Sequence, residues 1–509
     1  CHEKRLFNFL TFNCSIYTPI LKDTICGAGS MNFMSMISGV IVFLLMAACQ
    51  TELTSDSEYP RFEIVTDEQA FPVSIPASYD ATRGWLVVKE DRQDSGSLEI
   101  RLPVAVIHSE AESKKSPIAY LSGGPGTSAM KTAAFPGAYP WLKDRDFVVI
   151  GQRGTHFAKP ALMCPEYREA VSEDGDRNVA VTACRARLEQ AGIGLENYNT
   201  TASANDLEDL RLVLGFDTWS LYAGSYGTRL ALIYAKSYGD KLESMVLDSP
   251  LPPNAIFDDE SAFNMEQALR AIARDCASDT VCATAFPELE SRFFQTINRV
   301  AALPLTIDGR DQPVTGPNLV SLVPITSESS IRNAPITMDR VANLDPALLG
   351  KLVGAAEAAD FAWGMRFSVW CSEAIPFSNR YRVKNPGPVL GGYESAAIDP
   401  KICEAWGVPT EPLSFIEPVT TDVPTLFIAG EFDPLTPPVW GKLAAETLPQ
   451  SRVIVIRRGS HSSTQQWGGD GCAMSLAAEF FADPRAFLQS TKTKCDSSLS
   501  LPEYRTVWE

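Results

Sequence analysis

Ser225 lies in the stretch Leu221-Tyr222-Ala223-Gly224-Ser225-Tyr226-Gly227-Thr228, between a strand-like run from Trp219 and a helix-like run ending near Ser237. Small residues beside it permit a sharp strand-to-helix turn, which would expose the hydroxyl at a helix N-terminus. Such a serine is a candidate nucleophile if a base, an acid and oxyanion donors accompany it. The chain holds four histidines: His2, His108, His156 and His461. His2 falls in a leader, and His108 reads as structural, between a strand and a polar turn. His156 could line a site as a rival base. His461, in Arg457-Arg458-Gly459-Ser460-His461-Ser462-Ser463, follows a strand-like run and is the preferred base.

The acid should fix the imidazole tautomer and stabilise the imidazolium. Asp433 follows the apolar run Leu426 to Ala429 through a short turn, and Pro434, Pro437 and Pro438 stiffen what comes next. Glu431 is its rival. The order Ser225, Asp433, His461 is that of an α/β-hydrolase. For the oxyanion, the N–H of Tyr226 is one expected donor. Gly123-Gly124-Pro125-Gly126 offers a second, with Gly124 preferred. That glycine loop lacks the lysine and hydroxyl of a phosphate-binding loop.

These groups need a sheet to carry them. Trp85 to Val88 and Leu98 to Val106 read as an antiparallel lead-in. Strands are predicted at Pro117 to Leu121, Asp146 to Ile150, Trp219 to Ala223, Leu242 to Leu247, Pro424 to Gly430 and Arg452 to Ile456. Helical stretches between them predict a mostly parallel sheet covered on both faces. From Pro252 the rhythm changes. Ser261 to Ala273 and Phe286 to Ala301 read as helices joined by a loop holding Cys276 and Cys282. Asn333 to Leu348 reads as loop, and Gly354 to Phe367 as helix. Met474 to Leu488 reads as a closing helix. The expected organisation is a leader and signal segment (1–49), a linker (50–60), a core (61–250), a mainly helical inserted lid (251–414) and the rest of the core (415–509).

The chain has 509 residues, 45% of them hydrophobic, and a formal net charge of -18. That charge argues against nucleic acid as a partner. Met34 to Ala48 is apolar, ends in small residues before Cys49, and is short for a span. It reads as a lipoprotein signal, with Cys49 the lipidated residue and Gln50 leaning toward the outer membrane. An ordinary signal peptide or a membrane anchor is the alternative. Residues 1–30 read as upstream sequence outside the fold. Setting aside Cys1, Cys14, Cys26 and Cys49 leaves Cys164, Cys184, Cys276, Cys282, Cys371, Cys403, Cys472 and Cys495. Their local couples suggest disulfides 164–184, 276–282, 371–403 and 472–495, made in an oxidising compartment. Zinc-finger spacing is missing from the sequence.

Taken together, Gly123-Gly124-Pro125-Gly126, Gln152-Arg153-Gly154, Gly224-Ser225-Tyr226-Gly227-Thr228, Asp433 and His461 resemble the α/β-hydrolase peptidase family of proline iminopeptidases and bacterial tripeptidyl aminopeptidases. The later cysteines, with Trp406 after Cys403, resemble the tripeptidyl branch. The resemblance covers roughly residues 60–500. It implies a serine exopeptidase acting on peptides with a free N-terminus, by acyl transfer without metal or organic cofactor. Three departures border the site: Ala223 where the motif has glycine, Gly151 where many relatives have aspartate, and His156-Phe157 in place of small residues. Cys371-Ser372-Glu373 resembles a lid segment of the family, which implies Glu373 as an anchor for the substrate ammonium. Glu404 is a second carboxylate for that role, and Arg153 is a structural residue below the site. A carboxylesterase of the same fold and a non-catalytic envelope binding protein are the alternative readings. The oligomeric state is left open.

Overall fold

The computed structural model describes residues 59–173, 175–307, 312–352, 360–378, 389–393, 400–465, 471–491 and 502–507. The leader, Cys49 and Cys495 lie outside the described residues, as does most of 376–399. Between Tyr59 and Glu509 a nine-stranded sheet organises the chain. Strands β1 (Arg61–Ile64), β2 (Ala81–Lys89) and β3 (Glu99–Ile107) form the antiparallel lead-in. Strands β4 (Lys115–Leu121), β5 (Arg145–Ile150), β6 (Trp219–Gly224), β7 (Leu242–Asp248), β8 (Thr425–Gly430) and β9 (Ser451–Ile456) are mutually parallel. Their order across the sheet is β1-β2-β3-β5-β4-β6-β7-β8-β9. Every residue of β6 and β8 is buried, as expected of strands covered on both faces.

Helix α1 (Thr200–Val213) and helix α2 (Tyr226–Tyr238) cover one face, packing Leu207, Leu210, Leu230 and Ile233 on Leu102, Leu121 and Leu221. The segment between β7 and β8 contributes α3 (Phe257–Ser278), α4 (Leu289–Ala302), α5 (Glu328–Ala342), α6 (Trp363–Glu373) and α7 (Pro400–Trp406). Much of it has its own core, built on Leu269, Ile272, Phe293, Ile297, Met338 and Val341. Helix α8 (Cys472–Ala482) closes the opposite face of the sheet through Leu476 and Phe480.

Three expectations need correction. Asn333 to Leu348 is not loop: α5 and a short helix, Pro346–Leu349, occupy it. Ser327 and Ser330 cap α5 reciprocally, and Ile331, Ala334, Pro335, Met338 and Val341 form its buried stripe. That stripe tolerates Pro335 despite its missing N–H. Cys276 and Cys282 are helical, in the last turn of α3 and in the helix Thr280–Ala285. The closing segment is two helices, α8 and Pro484–Gln489, separated where Asp483 caps the second.

Disulfides join Cys164 to Cys184, Cys276 to Cys282, and Cys371 to Cys403. Cys472 is also disulfide-bonded. No helix among the described residues is long and apolar enough to cross a membrane.

Candidate active site

The turn after β6 concentrates its strain on one residue. Ser225 has φ 55° and ψ −127°, whereas Ala223 is an ordinary strand residue without positive φ. Alanine therefore meets no conformational obstacle where the motif has glycine. Within 219–235, Ser225 is the one residue that is not buried. Its N–H donates to the Asp248 carbonyl at 2.9 Å, which fixes the turn against the end of β7. Tyr226 opens α2, so its N–H belongs to the first-turn donors that a helix does not satisfy itself. A Cβ built on Gly123 would lie 2.8 Å from Ser225 Cβ and 3.3 Å from Oγ, so the glycine loop passes directly over the serine. Gly124 follows one peptide bond on, and its carbonyl accepts from Arg366 Nη1 at 3.0 Å.

His461 and Asp433 meet on the loops after β9 and β8. His461 Nδ1 lies 2.9 Å from Asp433 Oδ2 and 3.1 Å from Oδ1. Leu435 N–H, Thr436 N–H and Thr436 Oγ1 also donate to this carboxylate, which is fully buried. Burial alone would raise the pKa of Asp433. The facing imidazole and the Thr436 bonds overcome burial, and the net shift is downward. An ionised Asp433 can only accept, so Nδ1 carries the proton and Nε2 remains as a base. For His461 burial opposes protonation most strongly, but the charges of Asp433 and Asp248 outweigh it and raise the pKa. The rival acid Glu431 is committed elsewhere, accepting from the Arg458 N–H at 2.9 Å.

The other histidines are placed by topology. His108 also has an acid, Asp146 Oδ2 at 3.2 Å, and its Nε2 lies 2.8 Å from Thr82 Oγ1. Asp146 is near the start of β5, however, at the sheet end opposite Ser225. His156 packs edge-on against Phe157, with centroids 4.5 Å apart. Gln152 Nε2 donates to the Ser122 carbonyl at 3.0 Å. Arg153 forms a two-pronged bond to Asp206 at 2.7 Å per contact and is wholly buried, so both are structural supports.

The two expected amine-binding carboxylates are held apart in environment. Glu373, at the end of α6, is completely buried. Its oxygens accept from the Thr200 N–H at 2.5 Å and from Thr200 Oγ1 at 2.6 Å. Thr200 Oγ1 in turn contacts the Tyr226 hydroxyl at 2.7 Å. Burial dominates and raises the Glu373 pKa to about 7. Glu404 stands exposed on α7, although the Cys371–Cys403 bond ties α6 to α7.

A family model for a TAP-like protein matches residues 389–495, the segment that carries both Asp433 and His461. Residues 389–495 thus match a TAP-like domain, and the sheet that carries them has the α/β-hydrolase order. The chain is 22% identical over 440 residues to the putative hydrolase YuaR of Escherichia coli (strain K12), covering 80% of this chain and 82% of that protein. Over 184 residues it is 28% identical to the serine protease Hip1 of Mycobacterium tuberculosis (strain ATCC 25618 / H37Rv), covering 31% of this chain and 35% of Hip1. Over 194 residues it is 26% identical to the tripeptidyl aminopeptidase of Streptomyces lividans, covering 34% and 35%. The latter two matches thus span about a third of each relative's length.

Several partners in this site escaped the sequence reading. Thr436, Thr200, Asp248 and Thr464 are common turn or strand-end types, and only their contacts distinguish them. A usable signal existed for Asp248: a carboxylate directly after the apolar run Met245 to Leu247, at the strand end that faces Ser225.

Proposed function

We propose that this chain is an exported serine exopeptidase that releases short N-terminal fragments from peptides, with Ser225, His461 and Asp433 as its catalytic residues. The observation that carries the reading is the Asp433–His461 bond at the same sheet end as the strained, accessible Ser225. His461 Nε2 takes the Ser225 proton as Oγ attacks the scissile carbonyl. The N–H groups of Tyr226 and Gly124 hold the oxyanion. Protonated His461 then releases the amine, and an activated water cleaves the acyl-enzyme. The names of Hip1 and of the tripeptidyl aminopeptidase support peptides as substrates and tripeptides as one product size. Disulfides support passage through an oxidising compartment, and Cys49 is the proposed lipid attachment point.

Glu373 is the proposed anchor for the substrate ammonium, which would join the buried Arg229 as a counter-charge. Carboxylester hydrolysis is the second reading, favoured because Thr200 already satisfies Glu373. The deciding experiment is a mass-spectrometric time course with free-amine peptides, N-blocked peptides and simple acyl esters. Short N-terminal fragments from free-amine peptides are expected. Preference for N-blocked peptides or esters would reject the aminopeptidase reading. Ser225→Ala should fold normally and hydrolyse none of them, and unchanged turnover in that variant would remove the serine mechanism.

A further inference from the structure

Asp248 is the last residue of β7, fully buried, and paired in register with Gly224. Its two ends serve two different loops. The backbone carbonyl accepts the Ser225 N–H at 2.9 Å. The carboxylate accepts the Ser463 N–H at 3.2 Å, the Thr464 N–H at 2.7 Å and the Thr464 hydroxyl. Ser249 repeats the pattern, since its Oγ accepts the Ser462 N–H at 2.7 Å. Three consecutive N–H groups after His461 are therefore held by the last residue of β7 and the residue that follows it. The loops also touch: a Cβ on Gly224 would lie 3.5 Å from Gln465 Nε2 and 4.0 Å from Ser462 Oγ.

We infer that Asp248 is a positioning residue for the Ser225–His461 pair, its carbonyl setting the serine turn while its carboxylate holds the histidine loop and faces the imidazolium. This rests on the serine mechanism proposed above. Asp433 grips Nδ1 directly, whereas Asp248 works through the backbone of residues 463 and 464. A buried carboxylate with four donors, the Ser249 hydroxyl at 3.4 Å being the fourth, is costly to form and costly to break, which makes the distance between the two loops stiff. A base misplaced by about 1 Å can cost ~100-fold in rate. The titratable groups acting on the carboxylate are His461 and Asp433 from the loops, with Tyr222 on β6 and Tyr120 on β4. Burial is the largest influence and lifts Asp248 to about 6. Above that pH its charge favours protonated His461.

The test is the rate of Ser225 labelling by a fluorophosphonate, measured on the full chain from about pH 5 to about pH 9. Asp248→Asn removes the charge and sets an amide against N–H donors. Its labelling should fall ~10- to 100-fold at alkaline pH, and the acid limb should move to lower pH because His461 loses a favourable charge. Thr464→Val keeps the charge and both N–H bonds but removes the hydroxyl. It should label several-fold more slowly with its acid limb unmoved. A folded Asp248→Asn protein with the wild-type rate, or with an unmoved limb, overturns the inference. If Asp248→Asn does not fold, an undiminished rate in Thr464→Val overturns it instead. Ser225→Ala separates the two levels: labelling of that variant would reject the underlying serine mechanism, not the role of Asp248 alone.

Discussion

At the residue scale, the φ of 55° at Ser225 costs on the order of 1–3 kcal/mol, and the surrounding bonds to Asp248 and Thr228 maintain it. Asp433 makes a sharper prediction, because it both orients His461 and raises its pKa. As the proposed base, His461 must be neutral to accept a proton. Activity should thus fall with decreasing pH through a value above the ordinary ~6.5 of histidine. Asp433→Asn should lower the rate by about 10⁴-fold and move that limb toward acid, as the carboxylate no longer favours the imidazolium. A kcat against pH series for both proteins checks the direction. The three catalytic candidates were legible because histidine is scarce and each sits after an apolar run. Of their supports only Asp248 left a signal, at the end of an apolar run, since a threonine looks alike in a turn and in a site.

Elements place these residues by close approach. Gly227, in the first turn of α2, lies so near β4 that an added Cβ would meet the Leu121 carbonyl at 2.3 Å and the Ser122 carbonyl at 2.9 Å. Those atoms are backbone and cannot rotate away. Gly227→Ala should therefore push α2 off the sheet, at a cost of about 1–3 kcal/mol or more, and shift Tyr226 and Ser225 with it. Urea unfolding should show the loss, and activity should fall further than stability alone explains. Strands β4 to β8 were readable because largely buried strands show as short apolar runs, and the edge strand β9 because it is rich in β-branched residues. Helix α5 was not: Pro335 argues against a helix locally, and only the tertiary stripe of Ile331, Met338 and Val341 explains why it forms. Likewise Cys276 and Cys282, close in sequence, resembled a loop because the break between their helices is only a capped turn at Asp279.

At the scale of the whole molecule, four core clusters share one compact unit among the described residues. The sheet holds Ser225 and both loops, while the helical segment between β7 and β8 builds a separate core. Disulfides reinforce the second region and its border. Replacing Cys371 and Cys403 together by serine frees a loop with a sequence separation of 32 and should cost about 3 kcal/mol. A lower Tm under non-reducing conditions, with no further loss of that bond's share on adding reductant, is the expected result.

The loop that carries His461 does not belong to the sheet alone. Arg458, three residues earlier, reaches Asp275 at 2.6 Å and Asp279 at 3.3 Å near the end of α3. The Ser460 hydroxyl donates to the Ile325 carbonyl at 2.9 Å. The proposed base is thus tied both to the sheet and to the helical segment that follows β7. Loosening of that helical segment therefore disturbs the His461 loop directly, so in a warm or denaturing medium activity should be lost no later than the packing of that segment.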